Sequence, residues 1–345
     1  MSQVNSSNSS NQPENPDVDT VRAALVRSLI HGRYMVVDCF EEGNVTSFVT
    51  TRLGGMSRAP YDSFNLALHV GDDPVQVSQN RLQMRSDFGL AQICFMEQTH
   101  SNRVQIVDAH NRSQDTFECD GLVTREQGVG LAVMTADCLP LLLCDQAERV
   151  IAAVHCGWRG LAQGIVENAV AAMESIGAQR SRIDAYLGPA IGPNSFEVGA
   201  EVRDAFLAQS PDNALCFRPE HCLDKQQHEQ VLASLSAGSL TLGAMAFSRI
   251  SDSPDEACAV GKQVHAPAGQ GAASAQAVEL ATQSVAGKYW CDIFGLTVLA
   301  LRRAGASDII FGGRYDTFMQ HSVFYSHRRA NPTGRIASVI CLNRD

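Results

Sequence analysis

With 345 residues, 45% of them hydrophobic, the chain can bury a sizeable core as one large domain or two small ones. Its 27 Lys+Arg against 37 Asp+Glu leave a net charge of −10 with no basic run that could track a phosphate backbone, which argues against nucleic acid as a partner. The 11 cysteines are odd in number and irregularly spaced, so reduced thiols in a cytoplasmic protein are expected, and neither a signal-peptide pattern nor a membrane-length apolar run is visible.

Residues 1–18, rich in Ser, Asn, Gln and Pro, cannot support a core and are expected to be a disordered tail ahead of a single domain spanning 19–345. Strands are expected over 34–51, ending in the turn Thr51-Arg52-Leu53-Gly54-Gly55, and a polar loop containing Asn65 and His69 follows. Pro near the first turn and Gly beyond the last predict a helix over 74–89. Three apolar runs then read as buried strands, 93–100, 130–138 and 150–155. The apolar positions 161, 165, 166, 169, 170 and 173 predict one amphipathic helix over 160–176, closed by Gly177. A segment over 182–192 that is a strand entering a loop at 188–192, a helix over 198–207, a helix over 286–305 and two strands at 308–311 and 336–342 complete the series. Between 209 and 284 the composition turns to Ala, Ser, Gln and Gly, which reads as an insertion.

The three apolar runs end on His100, Cys138 and His155, residues that suit a transition metal. Two imidazoles and one thiolate leave a fourth tetrahedral position open, the mark of a catalytic zinc. The competing reading is an ordinary buried thiol beside satisfied histidines. Polar residues gather where the runs stop: Asp137 precedes Cys138, and Cys156-Gly157-Trp158-Arg159-Gly160 follows His155. That glycine-containing strand-to-helix turn suits an anion, with Arg159 as a bidentate holder, although Gly157 and Gly160 could equally serve only the turn. His221, Cys222 and His228 form a weaker second metal candidate inside the insertion.

Seven blocks, in order, resemble the laccase-domain family, first labelled multicopper polyphenol oxidase and later purine nucleoside phosphorylase. They are 51–55 with 61–73, Asn80-Arg81, 98–101, 135–140, 155–160, 187–192, and 324–328 with 333–335. The resemblance implies an α+β fold, a layered α/β/β/α sandwich with mixed sheets, and zinc held by His100, Cys138 and His155. It implies phosphorolysis of adenosine, inosine and 5′-methylthioadenosine, deamination of adenosine, and in bacterial relatives the editing of peptidoglycan precursors by amide hydrolysis. Purine nucleosides and phosphate are the small-molecule partners so implied. One departure stands at Asp316-Thr317, where many relatives have Cys-Thr.

Phosphorolysis calls for cationic phosphate holders, for which Arg52 and Arg159 are the first candidates and Arg328 and Arg335 weaker ones. Deamination calls for a carboxylate that shuttles a proton at purine C6, which Asp137 could supply unless it only orients a ligand histidine. Asn65, Gln98 and Arg328 are further candidate substrate contacts. None of the 10 histidines forms a His-x-His pair, so multicopper oxidation is not expected, and copper is the less favoured occupant of the trio. Two rivals use the same residues: a metal-free cysteine hydrolase with a Cys138/His155 dyad, and a zinc-stabilised binding module without turnover.

Overall fold

The computed structural model describes residues 32–40, 44–219, 287–313 and 315–344. Strands are numbered in chain order. Across the first six-stranded sheet run β1 (Tyr34–Val36), β2 (Val45–Thr50), β15 (Ile336–Leu342), β7 (Val129–Thr135), β3 (Gln92–Met96) and β5 (Thr116–Phe117). Across the second run β14 (Ile310–Gly312), β10 (Asp184–Leu187), β8 (Leu139–Asp145), β9 (Val150–Cys156), β6 (Gly121–Thr124) and β4 (Val104–Val107). Both are mixed: β3 runs parallel to β7, and β4 parallel to β6, among otherwise largely antiparallel neighbours.

Side-chain alternation sorts each central strand into two layers. In β7, Leu131 and Val133 join the cluster between the sheets, while Ala132 and Met134 face outward with Met84 of helix α1 (Pro74–Asp87). In β9, Ile151 and Ala153 face the first sheet, while Ala152 and Val154 pack on helices α3 (Ile165–Ser175) and α5 (Ile293–Ala304). The result is the layered α/β/β/α sandwich that the resemblance implies. Because β7, β8 and β9 are buried on both faces, they read in sequence as continuous apolar runs with no visible alternation.

A smaller sheet, in the order β11 (Glu197–Gly199), β13 (Lys288–Cys291), β12 (Phe217–Pro219), packs on the α5 side together with helix α4 (Ala200–Gln209). Here several expectations shift. The stretch 286–305 is not one helix: its start pairs as β13, and α5 begins after Asp292, whose side chain accepts from Gly295 N at 3.0 Å as an N-cap. The helix expected over 160–176 is two, α2 (Trp158–Ala162) and α3, broken where Gly164 takes φ 86°. The stretch 198–207 opens in β11 before turning helical, and within 211–219 a 3-10 helix over Pro211–Cys216 leads into the paired strand β12. The expected tail, most of the insertion and His221, Cys222 and His228 lie outside the described residues. Among the described residues no helix is long and apolar enough to cross a membrane.

Candidate metal centre

His100, Cys138 and His155 converge because the chain changes sheets beside them. Cys138 lies in the turn that carries β7 of the first sheet into β8 of the second, and His100 lies in the loop that carries β3 into β4. Only His155 sits within a strand, on β9, opposite Pro140. The expectation that each ligand ends a strand is thereby corrected for His100 and Cys138: β3 stops at Met96 and β7 at Thr135. Both crossings use left-handed backbone at non-glycine residues, φ 61° at His100 and φ 94° at Asp137, a strained conformation that the surroundings must enforce.

One ligand atom from each of the three lies within 4.8 Å of the others. Cys138 Sγ is 3.8 Å from His100 Nε2, and the imidazole centroids are 4.9 Å apart at 78°. A tetrahedral ion with Zn–N near 2.0–2.1 Å and Zn–S near 2.3 Å needs edges of about 3.3–3.7 Å, so these donors fit one after slight closure. Gly157 makes the approach possible: a Cβ there would stand 2.7 Å from His100 Cδ2 and 3.3 Å from His155 Cε1. Its φ of −70° suits any residue, so room for the rings accounts for this glycine, neither turn geometry nor an anion being required.

The residue that sequence reasoning missed is Asp120. Fully buried, its carboxylate accepts from His155 Nδ1 at 2.8 Å, His100 N at 3.0 Å, Ser101 N at 2.7 Å and Ser101 Oγ at 2.6 Å. It thus fixes the tautomer that leaves His155 Nε2 for a metal, and it pins the strained His100 backbone. Cys119-Asp120-Gly121 reads in sequence as a turn before a strand, with nothing to mark a carboxylate serving a ligand. Asp120 holds the His155 ring, while the Asp137 carboxylate accepts from Thr317 and Arg328.

Electrostatics follow from these contacts. Burial raises the Cys138 thiol, but His155 and His100 override it and bring it down to about 6. Burial alone would lower the His155 imidazole, yet Cys138 and Asp120 lift it to about 9. Against burial, the hydrogen bonds and charge of His155 and Ser101 hold the Asp120 carboxyl well below the usual carboxylate range. Cys138 and His155 thus favour each other's charged forms, with Asp120 behind the imidazole.

The other predicted residues stand around this centre in different ways. Asp137, next to Cys138, accepts from Thr317 Oγ1 at 2.7 Å and Arg328 N at 2.6 Å. Thr317 is half of the departing Asp316-Thr317 pair, and Asp316 accepts from Ser195 Oγ at 2.6 Å. Gln98 clamps β7, donating to Met134 O at 2.8 Å and accepting from Met134 N at 2.9 Å. Buried Asn65 ties Ala67, Asp72 and Arg335 N together. Arg52 is engaged with Asp62 and His321 O, and Arg328 donates through both Nη atoms to Glu197 O. Exposed Arg159 stacks on Trp158 at 4.4 Å and has no ion pair among the described residues.

The sequence profile of the family described as multi-copper polyphenol oxidoreductase laccase matches residues 46–255 and 249–343. A purine nucleoside phosphorylase of Pseudomonas aeruginosa is 33% identical over 298 residues, covering 86% of this chain and 93% of that protein. Another from Haemophilus influenzae is also 33% identical over 298 residues, covering 86% and 94%. Among solved structures, a Neisseria meningitidis protein superposes with a TM-score of 0.67 at 31% identity, over 90% of this chain and 100% of its own. YlmD from Geobacillus stearothermophilus gives 0.65 at 26% identity, over 88% and 93%. Profile, relatives and fold agree, and the chain belongs to the multi-copper polyphenol oxidoreductase laccase family.

Proposed function

We propose that the chain is a zinc-dependent purine nucleoside phosphorylase acting on adenosine, inosine and 5′-methylthioadenosine, with adenosine deaminase activity. The observation that carries this reading is the His100–Cys138–His155 trio with Asp120 behind it, in a chain whose relatives carry the phosphorylase name. A zinc ion held by the trio would supply Lewis acidity and a fixed template beside the substrate. Asp137 handles the proton: it is 8% exposed, adjoins Cys138, and its Oδ1 shares a hydrogen bond with Thr317 that can reorganise as charge changes. Arg159, free of carboxylate partners among the described residues, meets incoming phosphate, while Arg52, Asn65, Gln98 and Arg328 hold the walls through the bonds described above. The nine described cysteines are all free thiols, in keeping with a cytoplasmic enzyme.

The lowered Cys138 thiol favours one second reading, an amide hydrolase using a Cys138/His155 dyad on peptidoglycan precursors. The experiment is base release from adenosine and inosine by metal-quantified protein, with and without phosphate and chelator, resolving adenine, hypoxanthine and inosine. Phosphate-dependent, chelator-sensitive base release is expected. Turnover of an amide substrate that survives complete metal removal, with no base released, would replace the phosphorylase reading by the dyad.

A further inference from the structure

Two half-buried guanidiniums without carboxylate partners stand at the end of β7, just before the metal centre. Arg335 immediately precedes β15, whose Ile336 pairs with Thr135, the last residue of β7 and two before Asp137. Arg81 reaches the same place from α1: its Nε donates to Leu66 O at 2.8 Å, and its Nη2 lies 3.8 Å from Met134 Sδ. Leu66 joins the two, because its N–H donates to Arg335 O at 3.4 Å. Met134, beside Arg81, and Ala337, two residues beyond Arg335, both belong to the outer cluster that includes Met84 of α1.

These arginines are held without being neutralised. Arg81 stacks on the Phe95 ring at 3.9 Å, and Arg335 Nη1 donates to Thr333 O and Gly334 O, each at 3.0 Å. Neither forms an ion pair with a described residue. Burial is what chiefly draws both guanidiniums below their ordinary range, Arg81 to about 10. The negative groups whose fields reach them are Asp115 for Arg81, and Cys138 and Asp137 for Arg335. Cys138 is a metal ligand, and Asp137 is already engaged by Thr317 and Arg328. Burial, and then Arg335 and Arg81, draw His69 below its ordinary range against the pull of Glu97. Two half-buried cations with no ion pair among the described residues favour an anion that joins them.

We infer that Arg81 and Arg335 form an oxyanion subsite beside the metal trio that takes inorganic phosphate as the second substrate of the proposed phosphorolysis. The inference deepens that reading and rests on it for the identity of the anion. Of the arginines singled out from sequence, Arg52 and Arg328 are committed to Asp62 and Glu197 O, and Arg159 is exposed, so the pair at the end of β7 is better built to retain what Arg159 meets first. Planar guanidiniums also suit the tetrahedral oxygens, each able to offer two parallel donors.

The test titrates inorganic phosphate into the full chain, metal-loaded and metal-free, by calorimetry. Arg81→Gln, Arg335→Gln and, as a control for loss of one exposed cation, Arg112→Gln are compared; Arg112 pairs with Glu126 at the surface. Each of the first two should weaken phosphate binding roughly 10- to 100-fold and raise the KM for phosphate while leaving that for nucleoside little changed; the control should do neither. A second measurement is independent of whether the variants fold: phenylglyoxal labelling of the unaltered protein, with phosphate protecting Arg81 and Arg335 in the mapped peptides. Unchanged phosphate affinity in both variants, or phosphate that binds without protecting either arginine, overturns the subsite, as does the absence of saturable phosphate binding. If phosphate binds at these arginines yet no base is released, the phosphorylase reading falls and the subsite stands. If base release depends on phosphate but the variants bind it as before, the subsite falls and the reading stands.

Discussion

Asp120 and Asp292 are both fully buried carboxylates near cysteines, and they behave in opposite ways. Asp120 lies among backbone N–H groups, a hydroxyl and an imidazole, and its carboxyl is held well below the usual range. Asp292 caps α5 with one oxygen while the other, Oδ2, has no hydrogen-bond partner among the described residues, and burial pushes its carboxyl up to about 6. The thiols differ likewise: Cys138 falls to about 6 beside two imidazoles, whereas burial drives Cys216 and Cys291 well above 9. Burial, common to both regions, only suppresses charge; donors and cations placed around the group turn one of them into a site.

The largest effect expected at the metal end is from removing a ligand. His100→Ala, Cys138→Ala and His155→Ala should each lower metal affinity by more than the roughly 10–100-fold that losing an outer partner costs, and activity should fall with bound metal. Dialysis against a zinc buffer followed by elemental analysis measures this. Stoichiometric metal retained in all three variants would sink the assignment. Gly157→Ala should imitate them in part, since its methyl would meet the His100 ring.

Next in size is Asp120→Asn, which keeps the shape but sets an amide N–H₂ against groups that are themselves donors. Metal affinity should drop about 10–100-fold and folding stability by about 2–4 kcal/mol. The sign of the pH dependence follows from the depressed carboxyl. Its stabilisation is fully present above the unfolded value near 4 and is lost as pH falls towards the lower folded value, so the variant should lose part of the native protein's acid limb in urea titrations. An Asn variant with native metal affinity and the same acid limb would return Asp120 to an ordinary buried group.

The clustering of His100, Cys138 and His155 was legible in sequence, and its support was not. Long apolar runs stopping at His100, Cys138 and His155 mark a change from core to chemistry, and spacing-independent residue types carried the rest. Asp120 carried no such mark, because its value lies in contacts with Ser101 and His155, neighbours only in space. The layering was hidden for a related reason: strands buried on both faces lose the alternation that would have told which residues face which sheet. Lys288–Cys291 reads as the start of the following helix, since a four-residue strand and a helix start look alike in sequence. Arginine roles were the least legible, for whether a guanidinium is spent on a carboxylate, as Arg52 is on Asp62, depends wholly on the fold.

Alkylation compares the thiols directly. In metal-free protein, iodoacetamide should modify Cys138 first, with a rate that rises through a midpoint near pH 6, while Cys216 and Cys291 remain unmodified at neutral pH in the folded chain. Zinc should slow the Cys138 reaction by engaging its lone pair. Peptide mapping that finds Cys216 labelled as fast as Cys138 would remove the electrostatic distinction between the two regions.

The smallest effect is expected at Asp292, and it should have the opposite sign to that at Asp120. A carboxyl raised to about 6 in the fold and near 4 when unfolded binds its proton more tightly in the native state. Stability should therefore fall as pH rises from about 4 to 6, by on the order of 2 kcal/mol, and then level off. Asp292→Asn keeps an oxygen that can accept from Gly295 N and removes the buried charge, so it should abolish that slope and leave stability at pH 7 equal to or above that of the unaltered chain. Metal content should not move. A variant that loses metal, or one that unfolds at neutral pH, would mean that this end of the molecule needs a charged carboxylate as much as the metal end does, and the contrast drawn from burial would fail.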